Sequence, residues 1–225
     1  MQDLSDYAPR RLPGEATLVG RMVRVEPYDE DRHGAGLAEA VAGPGNLTTW
    51  QYMPRGPYPD KSRFVEEFGT WVTGDNWNSY VIVDKASDTV TGTASYMRQR
   101  PANGSIEIGA VAFSHTLRRS THATEAIFLM ASHVFEDLGY RRFEWKCHNE
   151  NAASKRAAER FGFLYEGIFR NDMVMKGKNR DTAWYAMTDD DWPAIKAGFV
   201  AWLSPSNFDA NGQQKASLEA LRASR

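Results

Sequence analysis

Between Ile106 and Phe163 the chain runs strand, basic loop, helix, strand, polar turn and helix, closing on Gly162-Phe163. Two strands joined through a helix must lie parallel in one sheet, since a tight hairpin joins antiparallel strands only. The loop reads Arg118-Arg119-Ser120-Thr121-His122-Ala123, and Thr124-Glu125-Ala126 opens the helix. The turn reads Asn149-Glu150-Asn151-Ala152-Ala153-Ser154. A basic loop entering a helix start offers backbone N–H groups, a positive dipole end and guanidinium groups to one anion. A second polar helix start follows one strand later. Together they predict a phosphate-tailed ligand at the first helix and chemistry near the second. The plain alternative is a surface loop ahead of a capped helix, since short motifs recur by chance.

The flanking segments supply the rest of a mixed sheet. Residues 1–15 read as an arm. Ala16–Val25 alternates like a first strand, and Tyr28–Val41 is predicted helical. Gly43–Pro59 is broken by glycine and proline and reads as a structured loop. Asp60 can cap a helix over Asp60–Val72. Ser79–Val83 and Val90–Met97 read as a hairpin, and Ser105–Phe113 as the next strand. Ala123–Leu138 carries an apolar stripe of Ala123, Ala126, Ile127, Met130, Val134 and Leu138, with Gly139 at its end. Arg142–Cys147 is a strand and Ala152–Phe161 a helix closed by Gly162. Phe163–Met175 and Thr182–Met187 are strands, and Asp189–Leu203 is the last helix. The tail, residues 204–225, is polar, with Asn207-Phe208 as a docking point. No linker interrupts residues 16–203, so a single α/β domain is expected: a mixed sheet covered by helices.

A net charge of −2 over 225 residues argues against a general nucleic-acid binder. The polar, proline-bearing start does not read as a signal peptide, and no apolar run approaches the ~20 residues that span a bilayer. One cysteine, Cys147, permits no internal disulfide and suits a reducing, cytoplasmic setting. The histidines show no metal spacing, so no metal is expected. Cys147 and His148 are strand neighbours on opposite faces, a poor nucleophile–base couple.

The segment from Glu107 to Phe163 resembles the GNAT superfamily of acyl-CoA-dependent N-acyltransferases, whose pyrophosphate loop reads Gln/Arg-x-x-Gly-x-Gly/Ala. Here Arg118 and Ala123 match its ends, and Thr121 replaces the middle glycine. Thr124-Glu125-Ala126, Asn151-x-x-Ser154, Glu159-Arg160-Phe161-Gly162-Phe163, Glu166-Gly167 and Arg180-Asp181-Thr182 are similar to the branch that includes the ribosomal-protein N-terminal acetyltransferases. On element order the resemblance extends from Ala16 to Met187. It implies a GNAT-like fold, with a mostly antiparallel sheet, one parallel strand pair and helices on both faces. It implies acetyl-CoA as the acyl donor. Val111, Phe113, Arg118, Arg119, Ser120, Thr121, His122, Ala123, Thr124, Asn151, Ser154 and Arg156 would then hold the cofactor, with Lys155 beside them. Trp50 and Tyr52 lie on the loop that borders the acceptor groove in that family, although core packing is the default for Trp50.

The resemblance also implies a proton acceptor at Glu107, placed by alternation with Gly109 and Val111 opposite Ile106 and Ile108. Otherwise Glu107 is a solvated strand residue. Ser154 is the implied proton donor to the leaving thiolate. Many members carry a tyrosine four residues further on, where this chain has Ala158, which leaves Ser154 or water. Asn151 is equally an ordinary N-cap. Neutralising an α-amine at pH 7 costs about 1 kcal/mol, against about 4.6 kcal/mol for a lysine amine. One glutamate suits the easier acceptor, an α-amine of a protein N-terminus or an amino-acid-like molecule. A non-catalytic acyl-CoA-binding module and a small-molecule, antibiotic-type acetyltransferase stay open, as does a homodimer.

Overall fold

The computed structural model describes residues 3–74 and 77–223. Strands β1 (Leu18–Val19), β2 (Val23–Pro27), β3 (Asn78–Asp84), β4 (Thr89–Arg100), β5 (Ser105–Phe113), β6 (Arg142–His148), β7 (Leu164–Met175) and β8 (Lys178–Thr188) form one sheet in the order β1-β2-β3-β4-β5-β6-β8-β7. β5 and β6 pair in parallel, as the crossover requires, and the other neighbours pair antiparallel.

Helices cover both faces. On one lie α1 (Glu30–Val41) and α2 (Lys61–Gly74), on the other α3 (Thr121–Ser132), α4 (Ala152–Phe161), α5 (Trp192–Leu203) and α6 (Leu218–Ala223). Strand alternation divides the apolar side chains. Tyr80 and Ile82 enter the α3–α5 core, while Val81 and Val83 enter the α1–α2 core. Asp29 caps α1 by accepting from Arg32 N at 2.9 Å. Asp60 does the same for α2 from Ser62 N at 2.8 Å.

Two expected elements take another form. Ala16–Val25 is a hairpin rather than one strand. The Glu125 carboxylate, buried on α3, accepts from Arg21 N at 2.9 Å, Met22 N at 2.7 Å and Val23 N at 2.9 Å. These are amides of the turn, so the chain folds around the carboxylate. A Cβ on Gly20 would meet the Glu125 carboxyl group at 2.6 Å, which leaves room only for glycine there. The long helix begins at Thr121, ahead of Ala123, and its final turn widens to π geometry over His133–Asp137. The predicted apolar stripe is buried throughout, and Gly139 closes the helix at φ +69°.

The segment after Leu203, expected as a polar tail beyond the last helix, instead carries the further helix α6 and folds back onto the domain. Asn207 donates to the carbonyls of Trp202 and Ala216 at 3.2 Å each, Leu218 is fully buried in the α3–α5 core, and Arg222 donates to the carbonyls of Glu159 and Arg160. At the other end, His133 Nε2 lies 3.3 Å from the Pro13 carbonyl, and Tyr80 Oη donates to Gly14 O at 3.1 Å. Among the described residues no helix is long and apolar enough to cross a membrane.

Removing the Glu125 carboxylate strands three turn amides at once. Glu125→Ala is expected to lower the unfolding free energy by about 3–5 kcal/mol in urea melts. A loss below about 1 kcal/mol would mean that water replaces the carboxylate without cost.

Candidate active site

β5 and β6 pair from Ser105↔Arg142 to Ile108↔Trp145 and then separate. β5 continues to Phe113 and β6 to His148, so both strands end with edges turned to a gap instead of to each other. A bulge on the other side of β5 widens it. Ser95 opposes Gly109 and Thr93 opposes Ala112, which leaves Ala110 and Val111 together across from Ala94, with Ala110 at φ +49°. The bulge reverses the alternation that the sequence suggested. Val111 and Phe113 pack toward the α3–α5 core, on the face of Ile106 and Ile108, while Glu107 stays on the opposite face. The gap lies at the carboxyl ends of the parallel pair, and α3 and α4 both begin there. This is where α/β sheets bind ligands.

The loop ahead of α3 divides its donors between the protein and the gap. Arg118 faces inward: Nε donates to Phe113 O at 2.9 Å and an Nη to Thr49 Oγ1 at 2.5 Å. Ser120, not Thr121, caps the helix by accepting from Ala123 N at 3.1 Å. The Ala123 amide is therefore occupied. Arg118 N and Ser120 N also bond within the loop. Thr124 is buried, donating to Ser120 O and accepting from Arg160 at 3.0 Å, so it ties α3 to α4. The His122 ring sits 3.0 Å from Asp84 Oδ2, which turns it toward β3. The amides of Arg119, Thr121 and His122 have no acceptor among the described residues. Arg119, at φ +60°, extends its side chain into solvent. Three free amides beside an unpaired guanidinium fit a diphosphate without a glycine at position 121.

At the second helix start Asn151 caps α4, accepting from Ser154 N at 3.0 Å. Ser154 Oγ accepts from Trp145 Nε1 at 3.0 Å, which leaves its own proton free to donate. Cys147 lies beside that hydroxyl, and burial raises its thiol above the usual range. Arg156 is exposed, and Lys155 reaches back to Asn149.

Glu107 is buried, 1% exposed, rather than solvated. It stands beside Glu144 in the parallel register, with Lys146 Nζ 3.2 Å and Arg98 Nε 3.6 Å from Oε2. Burial pushes its carboxyl up to about 7, against the pull of Lys146 and Arg98 and with some help from Glu144. The face around it is polar. Next to it, Arg98, Arg100, Arg142, Glu144 and Glu166, together with Gly167, Phe169 and Trp184, line a cavity of about 400 Å³. Arg142 and Arg100 converge on Glu144 Oε1 at 2.8 and 2.6 Å. Sequence reading missed Lys146 and Arg98. The alternation Arg142, Glu144, Lys146, His148 on β6 signals a polar face, but the register that brings it to Glu107 is tertiary.

Trp50 is 1% exposed and packs among Tyr58, Phe64 and Trp71, with its indole N–H on Val41 O at 2.8 Å. It has no open face for an acceptor, because its bulk fills the α1–α2 core. Tyr52 is half-buried, 5.1 Å from the His148 ring, and Lys176 in the β7–β8 turn donates to Trp50 O at 2.9 Å. The Trp50 loop and the β7–β8 hairpin thus meet over the Glu107 face. Among the described residues no cluster of metal-ligating side chains forms.

An arginine held inward and one left free should behave differently. Arg118→Ala is expected to lower the melting temperature by several degrees. Arg119→Ala should leave it unchanged and weaken coenzyme A binding in calorimetry by about 1–2 kcal/mol, as expected for a lost charge-assisted contact. Equal affinities for wild type and Arg119→Ala would remove Arg119 from the site.

The family described as "Acetyltransferase (GNAT) domain" matches residues 23–164. A GCN5-related N-acetyltransferase from Brucella melitensis, known from its crystal structure, is 44% identical, with coverage of 98% of this chain and 100% of that one and a TM-score of 0.94. A probable acetyltransferase of the GNAT family from Chromobacterium violaceum is 40% identical over 86% of this chain and 96% of its own, with a TM-score of 0.80. The "Uncharacterized N-acetyltransferase p20" of Bacillus licheniformis is 26% identical over 144 residues, 61% of this chain and 78% of that protein.

Proposed function

Because the chain belongs to the GNAT acetyltransferase family, whose members take acetyl groups from acetyl-CoA to amines, we propose that it acetylates an α-amine, with Glu107 as proton acceptor and Ser154 as proton donor. The observation that carries this reading is the buried Glu107 carboxyl, titrating near 7 at the edge of the β5–β6 gap. A base with that affinity is half ionised at neutral pH and strong enough to deprotonate an α-ammonium of pKa ~7.7–8.0. It is poorly matched to a lysine ammonium at ~10.4. Lys146 and Arg98 hold the carboxylate in place and stop its pKa from rising further.

The donor fits the gap. The free amides of Arg119, Thr121 and His122 receive its diphosphate, and the unpaired edges of Gly109–Phe113 and Lys146–His148 flank its pantetheine arm. When bound, the thioester supplies an activated acetyl carbonyl. Glu107 and Ser154 stand on opposite faces of the sheet, since Ser154 bonds Trp145 while Glu107 neighbours Lys146. The base therefore takes the amine proton from one side while the hydroxyl gives a proton to the departing sulfur from the other. Ser154 fills the place that Ala158 leaves without a tyrosine. The sequence resemblance to the ribosomal-protein branch supports an α-amine acceptor, on a protein N-terminus or an amino-acid-like molecule. We read residues 16–203 as the catalytic domain.

Glu107→Gln should cut kcat/KM by 10²–10⁴ and leave coenzyme A affinity within twofold. Unchanged turnover would reject Glu107 as the base. Deprotonation activates Glu107, so kcat of the wild type at saturating amine should rise with pH through about 7 and level off above it, while kcat/KM bends again where the free amine titrates. A flat profile between pH 6 and 8 would contradict the assignment.

A further inference from the structure

Arg180 lies on β8 and is 6% exposed, yet it makes no ion pair among the described residues. One Nη contacts the Met175 sulfur at 3.8 Å, and Nε has no partner. A buried guanidinium cannot discard its proton, and leaving it unpaired there is strongly unfavourable. Asp172 and Glu107 are near enough to be felt, but neither comes within ion-pair distance.

Two further donors stand in line with it. Thr182 Oγ1, fully buried, and Trp184 Nε1 are likewise without partners. Residues 180, 182 and 184 alternate along one strand, so their side chains share a face at steps of about 6.6–6.8 Å. That face is the Glu107 face: Trp184 opposes Lys146, Thr182 opposes His148, and the Lys146 ammonium and Arg98 guanidinium both lie over the Trp184 ring. Glu107 Oε2 is held there by the Lys146 and Arg98 cations, and Glu144 Oε2 makes no hydrogen bond. The row of donors starts past the end of β6, where the strands part, and runs toward the base.

We infer that the acceptor is an amine carrying its own carboxylate, received by the Nε edge of Arg180 and by Thr182. This rests on the acetyl-transfer reading and narrows it. The planar fork of a guanidinium matches a carboxylate in two parallel hydrogen bonds, and the buried charge is balanced only when that anion arrives. A free amino acid presents a carboxylate near its α-amine. A protein N-terminus presents a neutral amide there. The site therefore selects the amino-acid-like acceptor over the polypeptide one.

The test is acetyl-CoA consumption by the full chain with the twenty standard amino acids, their α-amides and short peptides with the same first residues. At least one free acid should be turned over with kcat/KM 50-fold or more above its neutral amide. Arg180→Gln should collapse that ratio at least tenfold, mainly through KM for the acid, with coenzyme A affinity unchanged and a melting temperature no lower than that of the wild type. If Arg180→Gln folds poorly, Arg180→Lys, which keeps the charge and loses the fork, and Thr182→Val should each lower the ratio. Amides or peptides used as well as acids would overturn the inference and leave the acetyl-transfer reading standing. A ratio unmoved in folded Arg180 variants would overturn it too. No consumption with any amine would sink both.

Discussion

The parting of β5 and β6 after Ile108 and Trp145 is the constraint from which the rest of the site follows. Parallel pairing brings the two strands together for four residue pairs and thereby sets Glu107 beside Glu144 and close to Lys146. Separation then leaves backbone edges without partners, which is unfavourable in a dry interior and useful only where a ligand or water restores the bonds. The bulge at Ala110–Val111 is the local device that bends β5 away. It also reassigns side chains, sending Val111 and Phe113 to one face and leaving Glu107 on the other.

The same economy governs the loop before α3. Ser120 closes the Ala123 amide as an ordinary cap, and Arg118 bonds a carbonyl and a hydroxyl inside the protein. These contacts fix the loop and leave the amides of Arg119, Thr121 and His122 without an acceptor among the described residues. Thr121 is tolerated because it stands at the first position of the helix, in a conformation that any residue adopts; the left-handed position of the loop is Arg119. A loop of this kind does not need every donor to bind. It needs the unbound ones to converge.

Much of the fold was legible. The bounds of the strand from Ser105 to Phe113 and of the helix from Ala152 to Phe161 match the sequence reading, because an apolar strand pattern, an Asn151 cap and a Gly162 stop are all local signals, whereas the bulge that moves Val111 to the other face is not. The β1–β2 hairpin was not legible, since the carboxylate that shapes it comes from α3, about a hundred residues later. The widened π turn of the long helix left no mark in the apolar stripe. In the site, the two polar helix starts were marked by their own residues, and their reading as a cofactor site came from the resemblance. The fate of individual side chains was not marked: His122 turns to Asp84, Trp50 fills a core, and Glu107 is buried.

The sequence by itself determined the parallel crossover, the two polar helix starts and the presence of a carboxylate on the strand between β4 and the loop. These depend on periodicity, caps and turn residues, which act over a few positions. Only the tertiary structure decided which donors remain free, that Glu107 is buried rather than solvated and how far its affinity for a proton rises. Those properties come from register, bulge and burial, and they are set by strands that meet across the sheet rather than along the chain.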